Sequence, residues 1–110
     1  MAKDTEKISD DIPSPVEIDK IIHEPARLMI MSYLYVVEGA DFIFLKNQTG
    51  MTWGNLSSHI TKLEDAGYVN VKKEFVGKKT RTLLSLTDEG RNAFRDYRQK
   101  MDDFLKGLPE

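Results

Sequence analysis

The sequence predicts a mainly α-helical protein with a small β-hairpin, an α+β fold. Two observations carry this prediction: several helix-spaced apolar segments bounded by capping residues and breakers, and one pair of short alternating segments joined by a loop that contains glycine. The chain has 110 residues, which allows a single domain with one modest core. The expected order is four helices, the hairpin and a last helix.

The start of the chain differs in composition from the rest. Residues 1–20 contain six acidic residues and three lysines, and residues 13–15 read Pro-Ser-Pro. A polar, acidic segment of this kind is typical of disorder. The predicted organisation is a disordered acidic tail over residues 1–15 and a single domain over residues 16–110.

Apolar spacing and breakers place the helices. Three isoleucines between residues 18 and 22 suggest a short helix, which ends at Pro25, a residue well suited to start the next helix. The segment 26–37 is apolar nearly all round, so it should be buried on more than one side. Further helices are expected over residues 42–49, 53–66 and 88–105.

The hairpin follows the helix over residues 53–66. Residues 68–75 alternate apolar and polar side chains, and residues 80–87 do so less regularly, with Gly77 between the two segments. Basic residues concentrate here, although the whole chain has a net charge of −2. A local basic cluster matters more for phosphate contact than the balance of the whole chain. The basic residues of the hairpin are Lys72, Lys73, Lys78, Lys79 and Arg81.

The helix over residues 53–66 has an unusual polar face. Leu56, Ile60 and Leu63 share one narrow arc and must face the core. The opposite arc carries small hydroxyl and amide side chains where a surface helix usually carries Lys and Glu. Two short helices joined by a tight turn form a helix-turn-helix, whose second helix contacts base edges. The alternative is that this face packs against another helix or is ordinary surface.

The segment TWGNLSSHITKLEDAGYVNVKKEFVGKKTRTLLSLTDEGRNAF, residues 52–94, resembles the winged-helix domain of MarR/ArsR-type transcriptional regulators. It is most similar to the small stand-alone branch found in archaea and bacteria. The patterns T-x-G-N-L-S-x-H-x-x-K-L-E-x-A-G-Y-V and R-T-x-x-x-L-T-x-x-G-R are specific, and the resemblance covers roughly residues 18–106. It implies a winged helix-turn-helix with flanking dimerisation helices, and a homodimer that binds operator DNA.

Two groups of residues are the candidate DNA contacts. Trp53 could stack or touch a sugar, or it could cover the edge of the core. Gly54 costs up to about 1 kcal/mol against alanine in a helix, which close approach to a phosphate would explain. The recognition-helix set is Thr52, Trp53, Gly54, Asn55, Ser57, Ser58, Thr61 and Lys62, and the wing set is Lys72, Lys78, Lys79 and Arg81.

The last helix carries a stripe of large apolar residues spaced 3, 4, 3 and 4 apart, which is the spacing of a helix–helix seam. Part of the stripe is expected to pack on the chain's own core. Together with the apolar helix over residues 26–37, the stripe predicts a self-complementary interface about a two-fold axis. The predicted interface consists of Met31, Tyr35, Phe94, Tyr97, Met101, Phe104 and Leu108.

Composition argues against several other classes of protein. The chain has no cysteine and two histidines, so disulfides, metal sites and metal sensing of the ArsR kind are not expected, and no cofactor is implied. We find no nucleophile–base pair and no paired carboxylates, so an enzyme is not expected. No apolar run approaches the roughly 20 residues of a membrane span, and the start of the chain is not a secretory signal. A cytoplasmic protein without a membrane partner is therefore expected.

The predicted function is a sequence-specific, repressor-like transcriptional regulator that binds double-stranded DNA as a homodimer. The alternative is a winged-helix module for protein contacts in transcription or assembly machinery. The basic wing and the polar helix face favour DNA, because a protein-binding winged helix would more often show an apolar or acidic exposed face. The sequence identifies no small-molecule effector.

Overall fold

The computed structural model describes residues 17–110, in which four α-helices surround a three-stranded antiparallel sheet. The tail predicted over residues 1–15 lies outside the described residues. The α+β fold predicted from the sequence is confirmed. The helices are α1 (Pro25–Val36), α2 (Phe42–Thr49), α3 (Trp53–Asp65) and α4 (Asp88–Lys106), and the strands are β1 (Ala40–Asp41), β2 (Val69–Val76) and β3 (Lys79–Leu86).

Residues 18–24 form turns and bends, so the short helix predicted there is wrong. The Asp19 carboxylate accepts hydrogen bonds from the backbone N–H groups of Ile21 and Ile22, at 2.8 and 3.2 Å. Within residues 18–24, one backbone bond of helical spacing forms, from the His23 N–H to the Asp19 carbonyl at 2.8 Å. The segment then ends at Pro25, which has no N–H with which to continue it. Ile18 and Ile22 are nevertheless buried in the core, so their spacing indicated burial and not a helix.

The sheet has the order β1-β3-β2. Strands β2 and β3 pair along their whole length, from Val69 opposite Leu86 to Val76 opposite Lys79. Strand β1 adds a short third strand, with Ala40 opposite Leu84. The sequence did not predict β1, because two residues are too few to show an alternating pattern.

The core lies between the helices and one face of the sheet. Helix α3 contributes Leu56, Ile60 and Leu63, as predicted, and each is at most 5% exposed. Burying a side chain of this size stabilises the fold by about 1.5–3 kcal/mol, so the three together fix how α3 is rotated about its axis. The other buried apolar residues are Ile18, Ile22, Ile30, Met31, Leu34, Ala40, Leu45, Val69, Leu84, Phe94 and Tyr97.

A three-residue turn, residues 50–52, joins α2 to α3. Gly50 ends α2 in the left-handed region at φ 70°, where a side chain would be strained. Its backbone N–H donates to the Lys46 carbonyl at 2.9 Å. The Thr52 hydroxyl then accepts a hydrogen bond from the Asn55 N–H at 3.1 Å and caps α3. The helix-turn-helix geometry therefore follows from one glycine and one threonine.

Candidate nucleic-acid interface

The polar face of α3 lies on the surface of the protein. Because Leu56, Ile60 and Leu63 hold the opposite face in the core, the helix cannot rotate this face inward. No residue of the recognition-helix set is buried. All eight of its members are exposed: Thr52, Trp53, Gly54, Asn55, Ser57, Ser58, Thr61 and Lys62.

The hydroxyl and amide groups on this face differ in what they can still bind. The Thr61 hydroxyl donates to the Ser57 carbonyl at 3.0 Å, so only its acceptor lone pairs remain free. The Thr52 hydroxyl oxygen is engaged as the cap. Within residues 17–110, the side chains of Asn55, Ser57 and Ser58 form no hydrogen bond, so both their donors and their acceptors face solvent.

Trp53 begins α3, packs on a neighbouring ring and keeps exposed surface. Its ring stacks on Phe42, with centroids 5.4 Å apart and planes 3° from parallel, so it covers the edge of the core. It also remains 55% exposed. The Lys46 ammonium lies 5.1 Å from the Trp53 ring centroid, which adds a cation at the start of α3 that the sequence did not indicate.

Gly54 is open to solvent. A Cβ atom built on it would meet no other atom within 4 Å, so no contact inside the chain requires glycine here. In the first turn of a helix, glycine is less favourable than alanine. A contact between Gly54 and DNA stays a prediction.

The β2–β3 hairpin carries the wing cations. Lys72, Lys78, Lys79 and Arg81 are all exposed. The Arg81 guanidinium pairs with the Glu74 carboxylate across the two strands at 3.0 Å, so part of its charge is already compensated. The lysines at positions 72, 78 and 79 have no such partner within the described residues.

The strand register adds Lys73 to this surface. Lys73 has the same parity along β2 as the core residues Val69 and Val71, so it lies on the face turned toward α3, whereas Lys72 lies on the other face. A groove of about 400 Å³ between α3 and the sheet is lined by Lys73 together with Ser57 and Thr61. The alternation of β2 could have identified Lys73 from the sequence.

Residues 26–105 of the chain match the family described as the winged helix DNA-binding domain. The chain belongs to this family. The match covers more than half of the sequence and includes every described element from α1 to the last turn of α4.

Individual relatives agree with the family. The chain is 37% identical over 78 residues to an uncharacterized protein of Methanocaldococcus jannaschii, a match that covers 71% of this chain and 85% of that protein. It resembles the transcriptional regulator homologue from Pyrococcus horikoshii OT3 with a TM-score of 0.78 and 27% identity, over 98% of this chain and 99% of that one. A MarR-like transcriptional regulator from Thermotoga maritima shares the fold, with a TM-score of 0.62 at 20% identity over 94% of this chain and 72% of that one. The predicted resemblance to MarR-type winged-helix regulators is confirmed.

This winged-helix protein has the family and fold of DNA-binding transcriptional regulators. Within residues 17–110, no three or more His, Asp or Glu side chains are grouped so that they could hold a metal ion. No helix in the same part of the chain combines the length and the apolar character needed to cross a membrane.

A charged network lies behind α3. The Arg27 guanidinium, which is buried, donates through Nε to the Ile21 carbonyl at 2.6 Å and through Nη1 to His59 Nδ1 at 3.1 Å. The Glu24 carboxylate lies 3.6 Å from Arg27 and also caps α1. Because His59 belongs to α3, this network joins the candidate recognition helix to α1 and to the turn before it.

The predicted dimer-interface residues divide into two groups. Met31 is 0% exposed, and Phe94 and Tyr97 are 6% and 5% exposed within the single chain. They pack in the core, so in this conformation they offer almost no surface to a second copy, and their part in a dimer interface stays a prediction. The others retain accessible surface: Tyr35, Met101 and Phe104 are partly exposed, and Leu108 is 44% exposed.

Proposed function

We propose that this winged-helix protein is a sequence-specific transcriptional repressor that binds double-stranded DNA as a homodimer. Helix α3 enters the major groove, and the β2–β3 wing contacts the phosphate backbone. The observation that carries the proposal is that cations of the hairpin stand beside exposed side chains of α3. Lys73 lines a groove with Ser57 and Thr61, which also contains the acidic Glu64. Lys79 and Arg81 line a second cavity with Trp53.

Base reading is assigned to the side chains with free hydrogen-bonding groups. Asn55 offers an amide that can bond an adenine edge in two places, and Ser58 offers a hydroxyl that can donate or accept. Thr61 can only accept, because its proton is engaged with the Ser57 carbonyl. Each good base contact contributes about 1–3 kcal/mol of discrimination.

The homodimer is supported by apolar surface at the end of α4. Leu105 and Leu108 are 58% and 44% exposed in the single chain, and Met101 and Phe104 are partly exposed beside them. Pairing this end with its copy about a two-fold axis would remove these side chains from water. A dimer would also present two recognition helices to half-sites about one DNA turn apart.

Repression is the direction of regulation that requires the fewest contact surfaces on the protein. A dimer bound to an operator excludes other proteins from the same DNA, so occupancy of the site is sufficient. Activation would need a further surface for contact with the transcription machinery.

One observation favours the alternative of a protein-binding winged helix. Phe75 and Val76, on the wing, are 79% and 55% exposed, and Ile43, at the start of α2, is 59% exposed. A cavity of about 390 Å³ is lined by Ile43, Val76 and Trp53 among others. An apolar surface of this kind can receive an apolar side chain of a partner protein.

The decisive experiment is selection of bound fragments from genomic DNA by the full chain, followed by footprinting of the recovered sites. We expect a roughly palindromic site. Asn55→Ala and Ser58→Ala should each relax preference at particular base pairs, at a cost of about 1–3 kcal/mol on the selected site. Asn92→Ala, an exposed substitution on α4, is the matched control and should bind as the parent does.

Two outcomes would overturn the proposal. If the parent recovers no fragment above a random pool, DNA sequence is not what the protein reads. If Asn55→Ala and Ser58→Ala bind every sequence as the parent does, α3 is not the reading element. A protein-binding function predicts instead that Phe75→Ser with Val76→Ser abolishes partner capture while DNA affinity stays unchanged.

A further inference from the structure

Tyr35 lies in the last turn of α1, where α1 packs against α4. Its ring centroid is 5.0 Å from that of Phe94, with the planes tilted by 39°. Phe94 is buried in the core. This aromatic contact holds the Tyr35 side chain in a defined place between the two helices.

Three arginines of α4 surround this side chain. Arg91, Arg95 and Arg98 are spaced by four and three residues, so they share one face of the helix. The Cζ atoms of Arg91 and Arg98 lie 5.0 and 5.8 Å from the Tyr35 ring centroid. Arg91 also donates to the Tyr35 carbonyl at 3.4 Å.

The cluster has no compensating acid among residues 17–110. No carboxylate in that part of the chain lies within 4.0 Å of any of the three guanidinium groups. The nearby acids of α4 have other partners: Asp96 pairs with Lys100 at 3.2 Å and Asp102 pairs with Lys106 at 2.8 Å. Stacking on the ring accounts for the positions of Arg91 and Arg98, but it leaves three like charges together.

The environment of the Tyr35 hydroxyl favours negative charge. The polar interaction with the Arg95 side chain is the largest cause that lowers the pKa of this tyrosine. Partial desolvation opposes the change, and the charges of Arg95, Arg98 and Arg91 add to the lowering. Groups that stabilise a phenolate here would also stabilise the oxygen of an external anion.

We propose that Tyr35 and the three arginines form a binding site for a phosphate group. Guanidinium groups match phosphate with paired N–H donors, and the tyrosine hydroxyl supplies one more donor. The site joins α1 to α4 and uses none of the residues assigned to the recognition helix or the wing, but it shares Tyr35 with the predicted dimer interface. The phosphate can belong to a free phosphate monoester or to the DNA backbone, which present the same chemistry.

The first test is a titration of the full chain with inorganic phosphate. Binding is measured by calorimetry and by the absorbance of tyrosine. A titration with chloride at equal ionic strength is the reference. We expect saturable binding that weakens at least tenfold in Arg95→Gln and in Arg98→Gln. Tyr35→Phe, which keeps the ring, should weaken binding less. Lys100→Gln removes a cation from the same helix outside the cluster and should leave binding unchanged.

The second test measures the same variants on a DNA fragment. If the phosphate is part of the DNA backbone, each arginine substitution lowers affinity on all sequences and reduces the log–log salt slope by about 1 for each phosphate that the variant no longer binds. If it is a free ligand, DNA affinity without phosphate is unchanged and only the titration with inorganic phosphate responds. The proposal is overturned if the arginine variants match Lys100→Gln in both tests. Because the Asn55 and Ser58 variants test α3 separately, this result would leave the function proposed above standing.

Discussion

Arg27 Nη1 lies 3.1 Å from His59 Nδ1, which joins the first helix of the domain to the helix that carries the candidate base-reading residues. Arg27 carries its protons permanently, so it is the donor in this hydrogen bond whenever His59 Nδ1 carries no proton. The same guanidinium bonds the Ile21 carbonyl at 2.6 Å. Helix α3 is therefore held by a directed polar contact as well as by Leu56, Ile60 and Leu63.

The first prediction concerns the stability of this network. Arg27→Met should lower the free energy of unfolding by about 2–3 kcal/mol, because it leaves the Ile21 carbonyl and His59 Nδ1 without their donor and removes the ion pair with Glu24. Urea unfolding measures the change. Arg81→Met, which breaks a more exposed ion pair with Glu74, is the control and should cost less than about 1 kcal/mol. If Arg27→Met lowers the free energy of unfolding no more than Arg81→Met does, the Arg27 network does not stabilise the fold.

The second prediction concerns the contribution of Glu24 to the stability of the fold at acidic pH. Desolvation raises the pKa of Glu24, but hydrogen bonds from the Ala26 and Arg27 N–H groups and the charges of His59 and Arg27 together lower it below its ordinary 4.5. A lowered pKa means that the folded state favours the carboxylate. The contribution of Glu24 is therefore present above pH 4.5 and is lost as the pH falls through the folded value. Glu24→Gln should be less stable than the parent at neutral pH, and urea midpoints measured in steps below pH 4.5 should converge. If the urea midpoints of the parent and of Glu24→Gln differ by the same amount at every pH, this assignment is contradicted.

The third prediction separates folding from binding at Gly54. Gly54→Ala should stabilise the fold by up to about 1 kcal/mol, since a Cβ there meets nothing within 4 Å and alanine favours the helix. The same change should weaken DNA binding if the backbone approaches a phosphate. Thermal unfolding and a DNA titration measure the two effects.

Gly90→Ala is the contrasting variant: its Cβ would lie 2.1 Å from the Tyr68 carbonyl oxygen, so the fold should be destabilised. Unchanged DNA affinity in Gly54→Ala would remove this position from the interface.

The fourth prediction concerns the wing. If Lys78, Lys79 and Arg81 contact phosphates in both halves of a dimer, they set a log–log salt slope of roughly −5. Replacing all three with alanine should weaken binding similarly on every sequence and flatten the slope. A slope equal to that of the parent would mean that the wing does not touch DNA.

The fifth prediction concerns assembly. Leu105→Glu with Leu108→Glu should convert the dimer to a monomer at micromolar concentration, because two charges would be placed in the apolar contact. Both side chains are exposed in the single chain, so the fold should survive. Sedimentation of parent and variant measures the mass. Val36→Glu changes an apolar residue that is 83% exposed on α1 and should leave the dimer intact. A monomeric parent that binds DNA tightly would contradict the assembly proposed.

The sequence predicted the parts of this fold that depend on local physics. Helix α2 begins and ends as predicted, because Asp41 caps it and Gly50 ends it. The exposed face of α3 was predicted from the 100° spacing of its three buried residues. Alternation also located both long strands of the hairpin to within a residue or so of each end.

Tertiary structure decided what depends on residues distant in the sequence. Strand β1 exists only because β3 pairs with it, and residues 18–24 form turns and bends before Pro25 where a helix was predicted. Phe94 and Tyr97 have the spacing of a helix seam, yet they are buried in the chain's own core, as is Met31 of α1. Periodicity shows which residues of a helix are apolar together, but not whether the surface that covers them belongs to the same chain. The clustering of Tyr35 with the arginines of α4 had no sequence signal either, because it arises only when α1 and α4 pack together.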